Sequence, residues 1–194
     1  MRVSGEGPTA TRRLKHPATA TDPPPGPRTP GRSMSRYRVP KHRVEVRIAL
    51  CGRPEAGAHV FLGAQAETHV GAERPSDLLN RDERFIAFET QPGRVDVLSR
   101  DAVAFMAVAS GLERDAAVDP CGDETSLDVV LTLDDGRELA GLARYRMPDS
   151  ARRLQDLLNQ PEPFLRIERK NDTLLVNKRR IVRAHERAEE ACRG

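Results

Sequence analysis

Lys178, Arg179 and Arg180 form the best basic candidate in the patterned part of the chain, and Arg183 continues the run. Side chains of this kind at a turn neutralise phosphates, releasing counterions and giving salt-sensitive binding to RNA or DNA. Arg144, Arg146, Arg152 and Arg153 add charge to the same half of the chain. Residues 127–194 nevertheless hold fourteen Lys/Arg against twelve Asp/Glu, so the plainer reading is a solvated face of mixed charge. Tyr145 is the one aromatic near these arginines, too little for a platform on which bases stack.

Other chemistry is sparse. The chain has no G-x-S-x-G elbow, P-loop, strand-following G-x-G-x-x-G or H-E-x-x-H. His16 and His42 lie in or beside the N-terminal tail, His185 lies near the C-terminus, and His59 and His69 have no matching histidine elsewhere. Cys51, Cys121 and Cys192 are scattered, with no C-x-x-C pair and no histidine at ligand spacing. Asp77 and Asp156 recur in the same context, but no second acid, histidine or nucleophile recurs with them; helix capping explains them more simply. The expectation is a protein that is not an enzyme and uses no cofactor or metal.

The elements that would carry these residues come in two sets. Asp77-Leu78-Leu79-Asn80 with Phe85-Ile86 and Phe88-Glu89 returns 79 residues later as Asp156-Leu157-Leu158-Asn159, Phe164-Leu165 and Ile167-Glu168. A repeat of this kind sets architecture. Val44, Val46, Ile48 and Leu50 alternate with Glu45, Arg47 and Ala49, the period-2 mark of a half-buried strand, and Leu127 to Leu133 alternates likewise. Ala58–Ala66, Phe85–Thr90, Val95–Leu98 and Val103–Val108 read as further strands, with a helix opened by Pro75 at its first position. In the second set, Glu138–Tyr145, Phe164–Arg169, Thr173–Val176 and Ile181–Ala184 are strands, and Ala151–Leu158 is a helix capped by Asp149 or Ser150. Gln91-Pro92-Gly93 and Asp134-Asp135-Gly136 are turn sequences in which glycine supplies a positive φ.

The expected fold class is therefore α+β, mostly β, with two tandem ββαββ(β) modules, each a bent antiparallel sheet or small open barrel. The first spans 44–109 and the second 127–185, with a polar C-terminal tail at 186–194. Residues 110–126, with one Arg and five acidic residues, read as an acidic linker. At roughly 65 residues a module is marginal for an independent core, so the two are expected to pack together about a pseudo-two-fold axis.

Residues 1–43 carry ten Lys/Arg and two Asp/Glu, and hold the basic surplus of a chain whose net charge is only +3. Asp22-Pro23-Pro24-Pro25-Gly26-Pro27 and the scarcity of apolar residues make this a disordered tail. Met34, just ahead of the first patterned segment, is expected to be the true initiator, which N-terminal sequencing of the native protein decides. No stretch approaches the roughly 18 apolar residues of a membrane-spanning helix. The scattered, odd cysteine count points to the cytoplasm.

Leu127-Asp128-Val129-Val130-Leu131 with Asp135-Gly136-Arg137-Glu138-Leu139-Ala140-Gly141 resembles the opening strands of Sm-like (Hfq/LSm) barrels. Leu174-Leu175-Val176-Asn177-Lys178-Arg179-Arg180-Ile181-Val182 is similar to that family's final hairpin, whose loop binds RNA. The resemblance implies a small barrel with Asn177, Lys178 and Arg179 at an RNA-contacting loop. This chain differs from the family in the helix after its second strand. The Asp-Leu-Leu-Asn…Phe-Leu pattern also resembles short bacterial proteins of unknown function. Two functions are expected from all this. The first is a non-enzymatic interaction, assembly or adaptor module with a protein partner, a homo-oligomer being compatible; the second is RNA or DNA binding through Asn177, Lys178, Arg179, Arg180 and Arg183.

Overall fold

The computed structural model describes residues 41–113, 125–146 and 153–187. Residues 1–40 of the expected tail, the Met34 start, most of the acidic linker, Arg152 and the helix caps Asp149 and Ser150 lie outside them; Lys41, His42 and Arg43, expected in that tail, instead open the first strand. Among the described residues no helix is long and apolar enough to cross a membrane.

The protein is β-rich. Ten strands form one open antiparallel sheet: β1 (Lys41–Leu50), β2 (Glu55–Gly63), β3 (Phe85–Gln91), β4 (Arg94–Ser99), β5 (Val103–Ala109), β6 (Thr125–Leu133), β7 (Glu138–Tyr145), β8 (Phe164–Glu168), β9 (Asp172–Asn177) and β10 (Ile181–Glu186). The two short helices are α1 (Pro75–Asn80) and α2 (Leu154–Leu158). Spatial order is β10-β6-β7-β8-β9-β5-β1-β2-β3-β4. Instead of two sheets, a single one runs through the whole set, continuous across β5 and β9. Nor do the halves meet about a two-fold axis: the joined strands are the fifth of one half and the fourth of the other.

Local chemistry accounts for most of the strands. In β1, Val46 and Ile48 are buried while Glu45 and Arg47 face solvent; in β6, Val129, Leu131 and Leu133 are buried. Gly93 (φ 76°) and Gly136 (φ 84°) sit in the left-handed region that their turns require. β2 stops at Gly63, short of the expected Ala66, where Glu73 folds back to accept from the Gly63 N–H. α2 begins at Leu154, later than expected, with Arg153 as its N-cap residue. Ser110–Glu113, expected in the linker, is a 3-10 turn with Glu113 buried.

The central strands are buried on both faces. Met106 and Val108 of β5 join a core with Val46, Ile48, Val60, Leu79 and Phe88. Phe105 and Ala107 of the same strand join a second core with Val129, Leu131, Ala143, Ile167 and Leu174. Exchange runs the other way too, since Phe164 and Leu175 lie in the first core. A strand that supplies two cores needs an unbroken apolar run, and Val103-Ala104-Phe105-Met106-Ala107-Val108 is one.

Candidate interaction surface

The basic run forms a 3-10 turn, Lys178–Arg180, between β9 and β10. Asn177 precedes it and is buried: its Oδ1 accepts from the Arg179 N–H at 3.0 Å, and its Nδ2 donates to the Val103 carbonyl at 2.9 Å. Lys178 Nζ donates to the carbonyls of Leu157 (3.3 Å) and Gln160 (3.0 Å), closing the C-terminal end of α2. Burial pulls its pKa down. Arg179 Nη1 pairs with Asp101 Oδ1 at 2.9 Å. Arg180 donates from Nε to the Asp101 carbonyl (3.1 Å) and pairs through Nη1 with Asp134 Oδ2 (2.9 Å), which raises its pKa. Arg183, in β10 opposite Thr132, is exposed. The five residues singled out by sequence are thus adjacent, but Asn177, Arg179 and Arg180 are bonded into the seam where β5 meets β9, and Lys178 onto the end of α2.

Further polar contacts line that seam. β5 and β9 pair from Phe105↔Val176 to Ala109↔Asp172. Asn80, at the end of α1, accepts from the Phe164 N–H of β8 at 2.9 Å. Arg47 of β1 reaches Asp172 at 2.5 Å, and Arg166 of β8 donates to the Glu113 carbonyl at 3.0 Å. In the sequence Asp101 is a single acid beside Arg100, and Asn80 is one residue of the recurring Asp-Leu-Leu-Asn. Nothing local signals a partner so far along the chain.

The tips of two hairpins meet beside the seam. Asp135 Oδ2 accepts from both Nε (2.9 Å) and Nη2 of the Arg137 guanidinium and from the Gly52 N–H at 3.3 Å. The Arg137 bond is the chief reason its pKa lies far below the usual carboxylate range. Arg137 also donates to the Leu50 carbonyl (3.2 Å) and lies over the Phe105 ring at 5.1 Å. Ligand atoms of Cys51, Asp134 and Asp135 are within 4.8 Å of one another. Burial and the neighbouring Asp134 push the Cys51 thiol up, and Arg180 and Arg137 already neutralise the two carboxylates. The three side chains thus form one hydrogen-bonded ion-pair cluster with Arg137 and Arg180.

Asp135 gives a pH prediction. Its folded pKa is depressed, so its contribution is fully present above the unfolded pKa of about 3.9 and is lost as pH falls through the folded value. Asp135→Asn is expected to cost about 1.5–3 kcal/mol at neutral pH, the range for hydrogen bonds to a charged group. The difference from wild type in urea midpoint is expected to shrink as pH drops below about 4. A difference that is constant from pH 7 to pH 3 contradicts this reading.

A second cluster lies at α1. Asp77 Oδ2 accepts from the Arg74 N–H (2.8 Å), a helix-capping bond, and from His69 Nε2 (2.8 Å). The Asp77 bond raises the His69 pKa. Asp156 accepts from the Arg153 N–H at 3.4 Å at the start of α2. The recurring aspartates therefore cap their helices. His69 borders a cavity of about 380 Å³ whose walls include Val44, Leu62, Val70 and Leu112. Its buried acid, Glu73, is held by the Gly63 N–H (2.5 Å) and by Arg81 at 2.8 Å, the latter an ion contact off hydrogen-bond alignment. The His69–Asp77 pair can hold a proton, but among the described residues the cavity lining carries no Ser, Thr or Cys to serve as nucleophile.

Comparison with protein-family models, with curated proteins and with solved structures gave no match.

Proposed function

We propose that the chain is a non-enzymatic interaction and assembly module, built from two copies of one five-stranded unit and acting through the edges of its sheet. The observation that carries this is the open sheet itself, which among the described residues ends in two strands paired on one side only, β4 and β10. An unpaired edge offers a row of backbone donors and acceptors to an incoming strand.

The duplicated unit is supported by register. Phe85↔Ser99 in β3–β4 has its counterpart in Phe164↔Asn177 of β8–β9, and His59↔Glu89 in Leu142↔Glu168. The bulge where Leu50 meets Val103 has its counterpart where Leu133 meets Ile181. Each unit is then a bent sheet of order fifth-first-second-third-fourth. The RNA- or DNA-binding alternative has less support, because Asn177, Lys178, Arg179 and Arg180 spend their polar atoms on the seam and on α2.

The test is the native mass of the tagged chain in a nuclease-treated cell extract, for wild type and for Val97→Lys/Val182→Lys, which charges both edges. A nuclease-resistant complex heavier than the chain and absent for the double variant is expected. Migration at the mass of the chain alone overturns the proposal; a complex that collapses with nuclease transfers the case to nucleic acid.

A further inference from the structure

We infer that the partner is a second copy of this chain, whose β4 edge pairs with the β10 edge of the first, both edges being unpaired among the described residues, repeating between chains the β5–β9 contact made within each. The inference rests on the assembly reading above and names its occupant.

In each half, one strand stands beside the first (β5 by β1, β10 by β6) and one lies beyond the third (β4 by β3, β9 by β8). The internal seam joins one strand of each type, β5 to β9. The two strands left over, β10 and β4, are again one of each type. A chain that has used one such contact internally keeps the complementary halves of a second at its two ends. This is a heterologous, head-to-tail arrangement, in which each copy presents one edge to each neighbour.

The exposed apolar side chains fall where this contact would bury them. Among the described residues, the large apolar side chains left exposed are Val70, Phe85, Val95, Val97 and Val182. By register, Phe85 (57% exposed) corresponds to Phe164 (4%), and Val97 (65%) to Leu175 (1%). Val95 (53%) corresponds to Thr173 (2%), and Val182 (66%), the residue that its bulge leaves without a ladder partner, to Ala104 (0%), which stands likewise in its own. All but Val70 thus occupy positions that the internal seam shields from water. Scattered exposed valines need no explanation singly, but their coincidence with one interface does.

Polar groups agree. At the internal seam Asn80 bonds the Phe164 N–H. Its counterpart Asn159 is exposed at the end of α2, and Phe85, the counterpart of Phe164, is exposed on β3. Arg179 and Asp101 pair across the internal seam with side chains still 71% and 40% exposed. The same two turns, with roles exchanged, face each other between copies. The register that follows sets Ala184 opposite Val97 and His185 opposite Asp96, an apolar pair and a complementary polar one.

The experiment uses the purified full chain in size-exclusion chromatography with light scattering, at two concentrations and in high salt. A mass that is a multiple of the 21.5 kDa chain is expected. Val97→Lys and Val182→Lys, at solvent-exposed sites, are each expected to give single chains with an unchanged thermal melt. Mixing the two variants is then expected to give a dimer, because the intact β10 of the first meets the intact β4 of the second. A wild-type chain that is monomeric throughout overturns the inference, as does a Val182→Lys chain that still self-associates or a mixture that stays monomeric. Wild-type monomer alongside an edge-dependent complex in extract refutes self-pairing alone; monomer in both refutes the assembly function as well.

Discussion

Phe105→Ala is expected to destabilise the protein by about 3–5 kcal/mol, the cost of removing a buried phenyl ring and leaving a cavity. The ring belongs to β5, a strand of the first half, but is buried in the core formed mainly by the second. It also loses the cover of the Arg137 guanidinium, 5.1 Å from its centroid. The more informative readout is where protection is lost. β5 hydrogen-bonds to β1 on one side and β9 on the other, and its opposite face carries Met106 and Val108 into the first core. Strand amides of β1–β2 and of β6–β7 are therefore expected to lose hydrogen-exchange protection by the same amount, in one urea transition. Loss confined to β6–β10, or a change below about 1 kcal/mol, contradicts a shared core, since cooperative units lose protection together.

This coupling ties the β1–β5 and β6–β10 halves of the sheet together. Each half lacks a complete core by itself: the first borrows Phe164 and Leu175, the second borrows Ala49, Ala104, Phe105 and Ala107. Small domains bury too little surface to stand alone, and lending residues across a continuous sheet raises the buried fraction of both. The seam that holds the chain together also absorbs the residues that look most like a ligand site. Lys178, Arg179 and Arg180 have the right charge for phosphate, and their geometry shows each one engaged with a backbone carbonyl or an aspartate.

What sequence makes legible here is local. Alternation marked β1 and β6, and Gly93 and Gly136 marked their turns, because side-chain period and backbone freedom act over a few residues. Pro75 marked the start of α1 for the same reason. The pairing of β5 with β9 was not legible, although Val103–Val108 held a clue in its unbroken apolar run. Such a run says that a strand is covered on both faces, without saying by what. The role of the basic turn was hidden for a related reason. Charge is a property of the residue, while availability depends on Asp101 and Asp134, which only the fold brings near.

Gly141→Ala is expected to be as damaging as a core truncation, although it adds a single methyl group. A Cβ at this position would lie 2.5 Å from the Glu168 carbonyl oxygen and 2.7 Å from Ile167 Cγ2. The first of these is backbone, and it belongs to the one residue of β8 that pairs with β7, through Leu142. Relief thus requires β7 and β8 to separate at their only ladder contact, above the buried Ile167. Overpacking of this kind costs about 1–3 kcal/mol where side chains can adjust, and a fixed carbonyl places the expectation at the upper end. Gly57→Ala is the matched control: it lies in β2, is exposed, and its added Cβ meets nothing within 4 Å. There the same substitution is expected to be neutral or to stabilise by about 0.4–1 kcal/mol, through the lower entropy of the unfolded chain. Urea midpoints for the pair check the claim. Equal midpoints contradict a close approach of β7 and β8 at Gly141 that leaves no room for a Cβ.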